Sequence, residues 1–101
     1  MIEQGRNRLL VVGELVEMEA LRYTPAGVER LALKILSVST QQEAGVSRQV
    51  VCEISALAFG AAANRASTLQ LGKRVVAEGF LAQRSLRSTQ LVMHIDNIKL
   101  E

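Results

Sequence analysis

The residues of this chain that could carry out catalysis are few and far apart. It contains one histidine, His94, and one cysteine, Cys52. A nucleophile needs a neighbouring base, and a metal site needs several ligands at suitable spacing. Neither arrangement occurs in the sequence, and no GxxxxGK[ST] or GxGxxG loop is present. We therefore expect no enzymatic activity, no bound metal and no cofactor. Cys52 alternates with Val51 and Glu53, which predicts a buried, unreactive thiol.

The basic residues offer a different chemistry, the binding of a polyanion. The chain has 12 Lys and Arg against 10 Asp and Glu, so its net charge is only +2. Arg30 and Lys34 fall on one face of a strand-like segment, and Arg84 and Arg87 lie three residues apart in a polar loop. Proteins that bind single strands use such a track for the phosphates. From the pattern alone, a solvated surface explains these charges equally well.

The elements that must position these residues are mostly strands. Apolar residues alternate with polar ones over several segments, and turn residues separate the segments. An alanine-rich segment, residues 58–69, favours a helix. A polar stretch, residues 40–45, is interpreted as a loop. The predicted strands cover residues 9–16, 28–38, 49–56, 74–83 and 91–100.

This order, three strands, a helix and two strands, predicts an all-β protein. Closing five short strands into a barrel protects their edges, and an OB-fold barrel carries one short helix between its third and fourth strands. We expect a single domain over residues 1–101, with residues 1–6 as a flexible N-terminus. No signal peptide or membrane-spanning run is visible, so the expected location is the cytoplasm, with no membrane partner.

Several segments resemble known proteins. NRLLVVG at 7–13 and LGKRVVAEGFL at 71–81 resemble the first and fourth strands of bacterial single-stranded DNA-binding proteins. LRYTPAG at 21–27, QEAG at 42–45 and RQVVC at 48–52 resemble the primosomal replication protein N (PriB) family. Together these likenesses extend over nearly the whole chain, from about residue 7 to residue 100.

That resemblance implies an OB-fold homodimer that binds single-stranded DNA without sequence specificity during replication restart, with the PriA helicase and DnaT as partners. Aromatic residues of the better-known relatives are replaced here by Val46 and Val51, which predicts weak, mainly electrostatic binding. Arg48 either continues the basic track or pairs with Glu43, and Tyr23 either stacks on a base or packs over the barrel mouth. The expected DNA-binding residues are Arg22, Tyr23, Lys34, Arg48, Arg84 and Arg87.

The first strand also carries apolar residues on its outer face. Leu10 and Val12 alternate away from Leu9 and Val11, and an isologous dimer would cover them. Phe80 lies on the outer face of the fourth strand, where it either stacks on a base or covers the dimer seam. We therefore expect Leu10, Val12 and Phe80 in a homodimer interface.

Two other functions remain open at the level of sequence. The chain could act chiefly as a protein–protein adaptor for a helicase, with weak nucleic-acid binding. It could also be an RNA-binding OB domain, because a track of phosphate contacts does not by itself distinguish the sugars.

Overall fold

The computed structural model describes residues 3–101 as six strands and one short helix. Residues 3–8, ahead of the first strand, carry no regular secondary structure. The elements are β1 (Leu9–Met18), β2 (Arg22–Tyr23), β3 (Glu29–Glu43), β4 (Val46–Phe59), α1 (Ala61–Ser67), β5 (Arg74–Gln83) and β6 (Leu91–Leu100).

The strands close into a barrel because β1 pairs with two neighbours. Its first half pairs with β5 and its second half with β3, and the remaining order is β5-β6-β4-β3. A Cβ on Gly13, near the change of partner, would lie only 2.3 Å from the carbonyl oxygen of Leu36, so a side chain does not fit there. The prediction of a five-stranded OB-fold barrel with a helix between its third and fourth strands is confirmed. The sequence did not predict β2, which pairs with the start of β3.

The core fills the interior of this barrel. The largest fully buried side chains are Leu15, Leu31, Ile35, Val75, Met93 and Ile98. They come from four strands, β1, β3, β5 and β6. Helix α1 adds Ala62, Ala63 and Ala66, whose small side chains let the helix pack closely against this core.

Two predicted boundaries were wrong. The helix begins at Ala61, because Ala58 and Phe59 end β4 and Gly60 then turns the chain with a φ of 63°. The stretch interpreted as a polar loop, residues 40–45, belongs largely to β3, and the turn is only Ala44–Gly45. Both turn residues have positive φ, 52° and 78°, which suits a tight two-residue hairpin.

The prediction that Cys52 is buried was also wrong, because its side chain is exposed. Cys52 lies on the same side of β4 as the buried Ala56 and Ala58. Beyond Leu36, however, β3 no longer pairs with β1, and β4 pairs with β6 only from Ala56 onward. We call residues 37–53 the hairpin extension. Its inward side meets solvent because no opposite barrel wall reaches it.

Candidate nucleic-acid interface

The outer surface of β3, β4 and β6 contains a groove of about 380 Å³. Leu31 and Leu33 point into the barrel, so the alternating residues Arg30, Ala32 and Lys34 point outward into the groove. The groove is lined by Glu17, Glu19, Arg22, Arg30, Ala32, Leu33, Lys34, Ser55, Ala56, Leu57, Arg84 and Val92.

Three of the predicted DNA-binding residues come together in this groove. Arg22 reaches it because β2 places Arg22 directly opposite Arg30 of β3. Arg84 reaches it from the β5–β6 loop, which is closed by a 2.8 Å hydrogen bond from the Arg84 N–H to the Gln90 carbonyl. Lys34 of β3 also lines the groove. Arg30 shares the groove, and it was recognised in the sequence only as a neighbour of Lys34 on one strand face.

Acidic residues share the groove with these cations. The Nζ of Lys34 lies 3.3 Å from a Glu17 carboxylate oxygen and 3.6 Å from one of Glu53. Hydrogen bonding and charge from Glu17, and then the charge of Glu53, raise the pKa of Lys34. Glu19 lines the same groove. Lys34 therefore already forms ion pairs with Glu17 and Glu53.

The structure does not bring Arg48 or Arg87 into the groove lining. The sequence left two interpretations of Arg48, and the structure shows the pairing with Glu43, at 2.8 Å near the tip of the hairpin extension. Arg87 belongs to the β5–β6 loop, beyond the groove lining. The sequence left two interpretations of Tyr23, and its 65% exposure disfavours packing over the barrel mouth, so its stacking on a base stays a prediction.

Three stacked rings form a second feature of the outer surface, and the sequence analysis missed it. His94 of β6 lies between Phe59 and Phe80, with ring centroids 5.7 Å and 5.2 Å apart and interplanar angles of 23° and 19°. Both phenylalanines are 37% exposed. The rings lie beside a cleft of about 340 Å³ that also includes Ala61, Ala62, Ile95 and Asp96. Phe59 was wrongly placed in the predicted helix, which hid its position beside His94.

The groove and the stacked rings belong to one continuous surface. Strand register places Ala32, Leu57, His94 and Phe80 side by side across β3, β4, β6 and β5. Ala32 and Leu57 line the groove, whereas His94 and Phe80 belong to the stack. In the neighbouring row, Arg30 lies opposite Phe59. The surface therefore has Arg22 and Arg30 at its β2–β3 margin, aromatic rings toward β5, and Arg84 at the β5–β6 loop.

The N-terminal segment is held beside this aromatic margin. The Asn7 side chain donates to the Leu81 carbonyl and accepts from the Leu81 N–H, at 2.7 Å and 2.9 Å. Arg8 donates to both carboxylate oxygens of Asp96, at 2.7 Å and 3.2 Å. Hydrogen bonding by Arg8 is the main cause that lowers the pKa of Asp96 below its ordinary value. Asp96 lines the aromatic cleft, so Arg8 offsets the negative charge there.

The predicted dimer residues lie on or near the strand edge that follows this segment. Within residues 3–101, the first part of β1, residues 9–13, pairs only with β5, which leaves its other edge without a partner strand. On its outer face Leu10 is 63% exposed and Val12 is half-buried. Phe80, the third predicted interface residue, stacks on the His94 ring.

Within the described part of the chain, no group of three or more His, Cys, Asp or Glu side chains is placed to hold a metal ion. In the same residues, 3–101, the only helix is far too short to cross a membrane.

Comparison with known proteins gives consistent results. Residues 7–97 match a family described as another single-strand binding protein family. The replication restart protein PriB of Nitrosomonas europaea is 33% identical over 96 residues, which cover 95% of this chain and 89% of that protein. The PriB of Neisseria meningitidis serogroup C is 40% identical over 94% of this chain and 95% of its own length.

Solved structures agree with this assignment. PriB from Ralstonia solanacearum superposes with a TM-score of 0.86 at 35% identity, covering 96% of this chain and 100% of that one. The single-stranded DNA binding protein from Thermus aquaticus gives a TM-score of 0.77 at 22% identity, over 98% of this chain and 52% of that one, and so shows a shared fold. The chain therefore belongs to the single-strand binding protein family and, within it, to the PriB replication restart proteins.

Proposed function

We propose that this protein binds single-stranded DNA without sequence specificity, as an accessory protein of the replication-restart primosome. The observation that carries the proposal is the continuous outer surface, on which a basic groove and a row of stacked rings lie side by side. Proteins that bind single strands combine these same two features. Its similarity to the PriB replication restart proteins supports the cellular role.

Each part of the surface has a separate task in this proposal. Arg22, Arg30 and Arg84 contact phosphates, which carry no sequence information. Bases stack on the ends of the ring stack, on the faces of Phe59 and Phe80 that His94 does not cover, and every base has such a face. These rings supply stacking that Val46 and Val51 cannot provide. Tyr23, exposed beside Arg22, adds a further ring at the basic margin.

The test is a salt titration of binding to oligo(dT). Each phosphate contact on a single strand contributes about −0.7 to the slope of log K against log salt concentration. The double variant Arg30→Ala/Arg84→Ala should lose affinity and reduce the magnitude of the slope by about 0.7 per lost contact. Arg65→Ala/Arg74→Ala is the matched control, because it also removes two positive charges and neither residue lines the groove. Unchanged binding in the double variant would show that the groove is not the DNA-binding site.

The proposal includes a homodimer formed through the free edge of β1. Pairing two copies there would satisfy the unpaired backbone groups of residues 9–13 and cover Leu10 and Val12. Sedimentation at micromolar concentration should then give about 22 kDa, twice the 11.0 kDa of one chain. Val12→Glu should yield monomers. A role for Phe80 at the seam stays a prediction, tested by the same measurement on Phe80→Ala.

The PriA helicase and DnaT are the partners that we propose for this role, which places the protein on DNA in the cytoplasm. A helicase adaptor with only weak nucleic-acid binding is the second candidate. The carboxylates in the groove favour it, because they reduce its positive charge. Affinity for oligo(dT) that stays flat between about 50 and about 300 mM salt would support the adaptor. Tighter binding to oligo(rU) than to oligo(dT) would indicate an RNA-binding domain instead.

A further inference from the structure

Lys34 differs from the other cations of the groove. Two carboxylates, Glu17 and Glu53, lie within 4 Å of its ammonium group. In the described residues, 3–101, Arg22, Arg30 and Arg84 form no ion pair at all, although they line the same groove. The groove therefore contains three cations open to a phosphate and one that the protein has already paired.

The pairing of Lys34 with the two glutamates follows from the register of the strands. β1 pairs with β3 through Leu15 opposite Ile35, so a regular ladder would place Val16 opposite Lys34. A bulge between Leu15 and Glu17 instead places Glu17 opposite Lys34. Bulges commonly re-aim a side chain in this way. Glu53 approaches from the other neighbouring strand, β4, two residues before Ser55, which lies opposite Lys34.

A phosphate and these carboxylates would compete for one ammonium group. Lys34 carries one positive charge, whereas Glu17 and Glu53 together carry two negative charges, so the cluster has a local charge of −1. A phosphate that reaches Lys34 must therefore displace a carboxylate or approach it closely, and both cost free energy. The raised pKa of Lys34 agrees with a cation that its carboxylate neighbours hold.

We propose that Glu17 and Glu53 act as built-in counter-ions that lower the affinity of the groove for single-stranded DNA by occupying Lys34. This inference rests on the proposed function, because it concerns the same groove. The sequence predicted that Lys34 contacts DNA. Under the present proposal, the two glutamates prevent that contact. The three unpaired arginines carry the phosphate contacts, and the two glutamates keep binding weak enough for the strand to be released.

The first experiment removes the carboxylates without changing side-chain size. Glu17→Gln/Glu53→Gln should bind oligo(dT) about threefold to tenfold more tightly at low salt, with the slope of log K against log salt steeper by about 0.7 because Lys34 gains a phosphate contact. Glu78→Gln/Glu101→Gln is the matched control. It also removes two negative charges, from ion pairs with Arg8 and Arg74, and neither glutamate lines the groove. An equal gain in Glu78→Gln/Glu101→Gln would show that only net charge matters, which would overturn the proposal.

The second experiment places Lys34→Ala in both backgrounds. In the wild type, Lys34→Ala should leave the slope of log K against log salt unchanged, because no contact between Lys34 and a phosphate is lost. In the Glu17→Gln/Glu53→Gln background it should abolish most of the gain, because coupled residues deviate from additivity. If removing the glutamates instead lowers the affinity, they orient Lys34 toward DNA, and the inference is wrong. Thermal unfolding of each variant checks that the fold is intact.

The Arg30→Ala/Arg84→Ala variant separates this inference from the function on which it rests. If that variant loses binding while the glutamate variants bind like the wild type, the groove binds DNA and only the counter-ion role fails. If neither set of variants changes the affinity, the groove is not the DNA site and the proposed function fails as well.

Discussion

Strands β3 and β4 contribute to both the barrel and the hairpin extension, yet the two regions differ in what they bury. Within the barrel, Leu33 and Ile35 of β3 are 3% and 0% exposed. Further along the same strands, Cys52 is exposed, and the cross-strand pair Val38 and Val51 is 51% and 59% exposed. The hairpin extension is the more polar of the two regions, and within residues 3–101 only the barrel provides a second wall of strands and a helix for side chains to pack against.

This difference shows that alternation along a strand and burial are separate properties. Alternation decides on which side of the sheet a residue lies, because successive side chains point to opposite faces. Burial requires another layer over that side. In the hairpin extension both strand edges and both faces lack a neighbouring element within residues 3–101. Its strands are therefore held mainly by their own ladder and turn.

The largest expected effect comes from shortening a core side chain. Leu33→Ala should lower the free energy of unfolding by about 2–5 kcal/mol, because it leaves a cavity against the opposite barrel wall. Val38→Ala, on the same strand in the hairpin extension, should cost about 0.5 kcal/mol or less, since Val38 is half in solvent. Urea unfolding measures both. Equal losses would mean that the extension is packed against something in solution.

A side chain at Gly79 should give the next largest effect. A Cβ there would lie 1.8 Å from the His94 carbonyl oxygen, because the register between β5 and β6 shifts at this point. Gly79→Ala should cost about 1–3 kcal/mol through strain in the barrel wall. Gly5→Ala is the control, since a Cβ at Gly5 meets nothing within 4 Å. A neutral Gly79→Ala in thermal unfolding would contradict the close approach of these strands.

The contribution of an ion pair to stability, and its dependence on pH, should differ between the barrel and the hairpin extension. Arg8 lowers the pKa of Asp96, so the pair stabilises the fold above the ordinary carboxyl pKa, and this contribution is lost as the pH falls through the lowered value. Arg8→Ala should therefore destabilise the protein slightly at neutral pH and not at all in acid. Arg48→Ala removes a pair between residues only five apart in the hairpin extension, and it should have a smaller effect. Unfolding curves across pH distinguish the two variants.

The smallest expected change in stability is at Cys52. Cys52→Ala should alter the free energy of unfolding by less than about 0.5 kcal/mol, because the side chain is already in solvent. The native thiol should react with a small disulfide reagent as fast as in the urea-unfolded chain. Protection of the thiol in the native state would show that a second molecule covers this face of the hairpin extension.

Much of the fold was predictable from local signals. Strand alternation, the alanine-rich stretch and the Gly-containing turns predicted the order of elements and the barrel, and family-like motifs at 7–13 and 71–81 strengthened that prediction. The candidate surface was only partly predictable. Arg22, Lys34 and Arg84 were predicted as DNA contacts and do line one groove, and their contact with DNA stays a prediction. The ring stack was missed because Phe59, Phe80 and His94 meet only when β4, β5 and β6 lie side by side.

The sequence by itself determined the order of the elements and which residues face the same side of a regular strand, because backbone geometry and short-range sterics decide that alternation. The tertiary structure alone decided three further properties. It placed Cys52 in solvent, it brought the three rings into one stack, and it paired Lys34 with Glu17 through a one-residue bulge. Each of these depends on which strands become neighbours and in what register. Burial of the complete hydrophobic core selects the strand neighbours and their register.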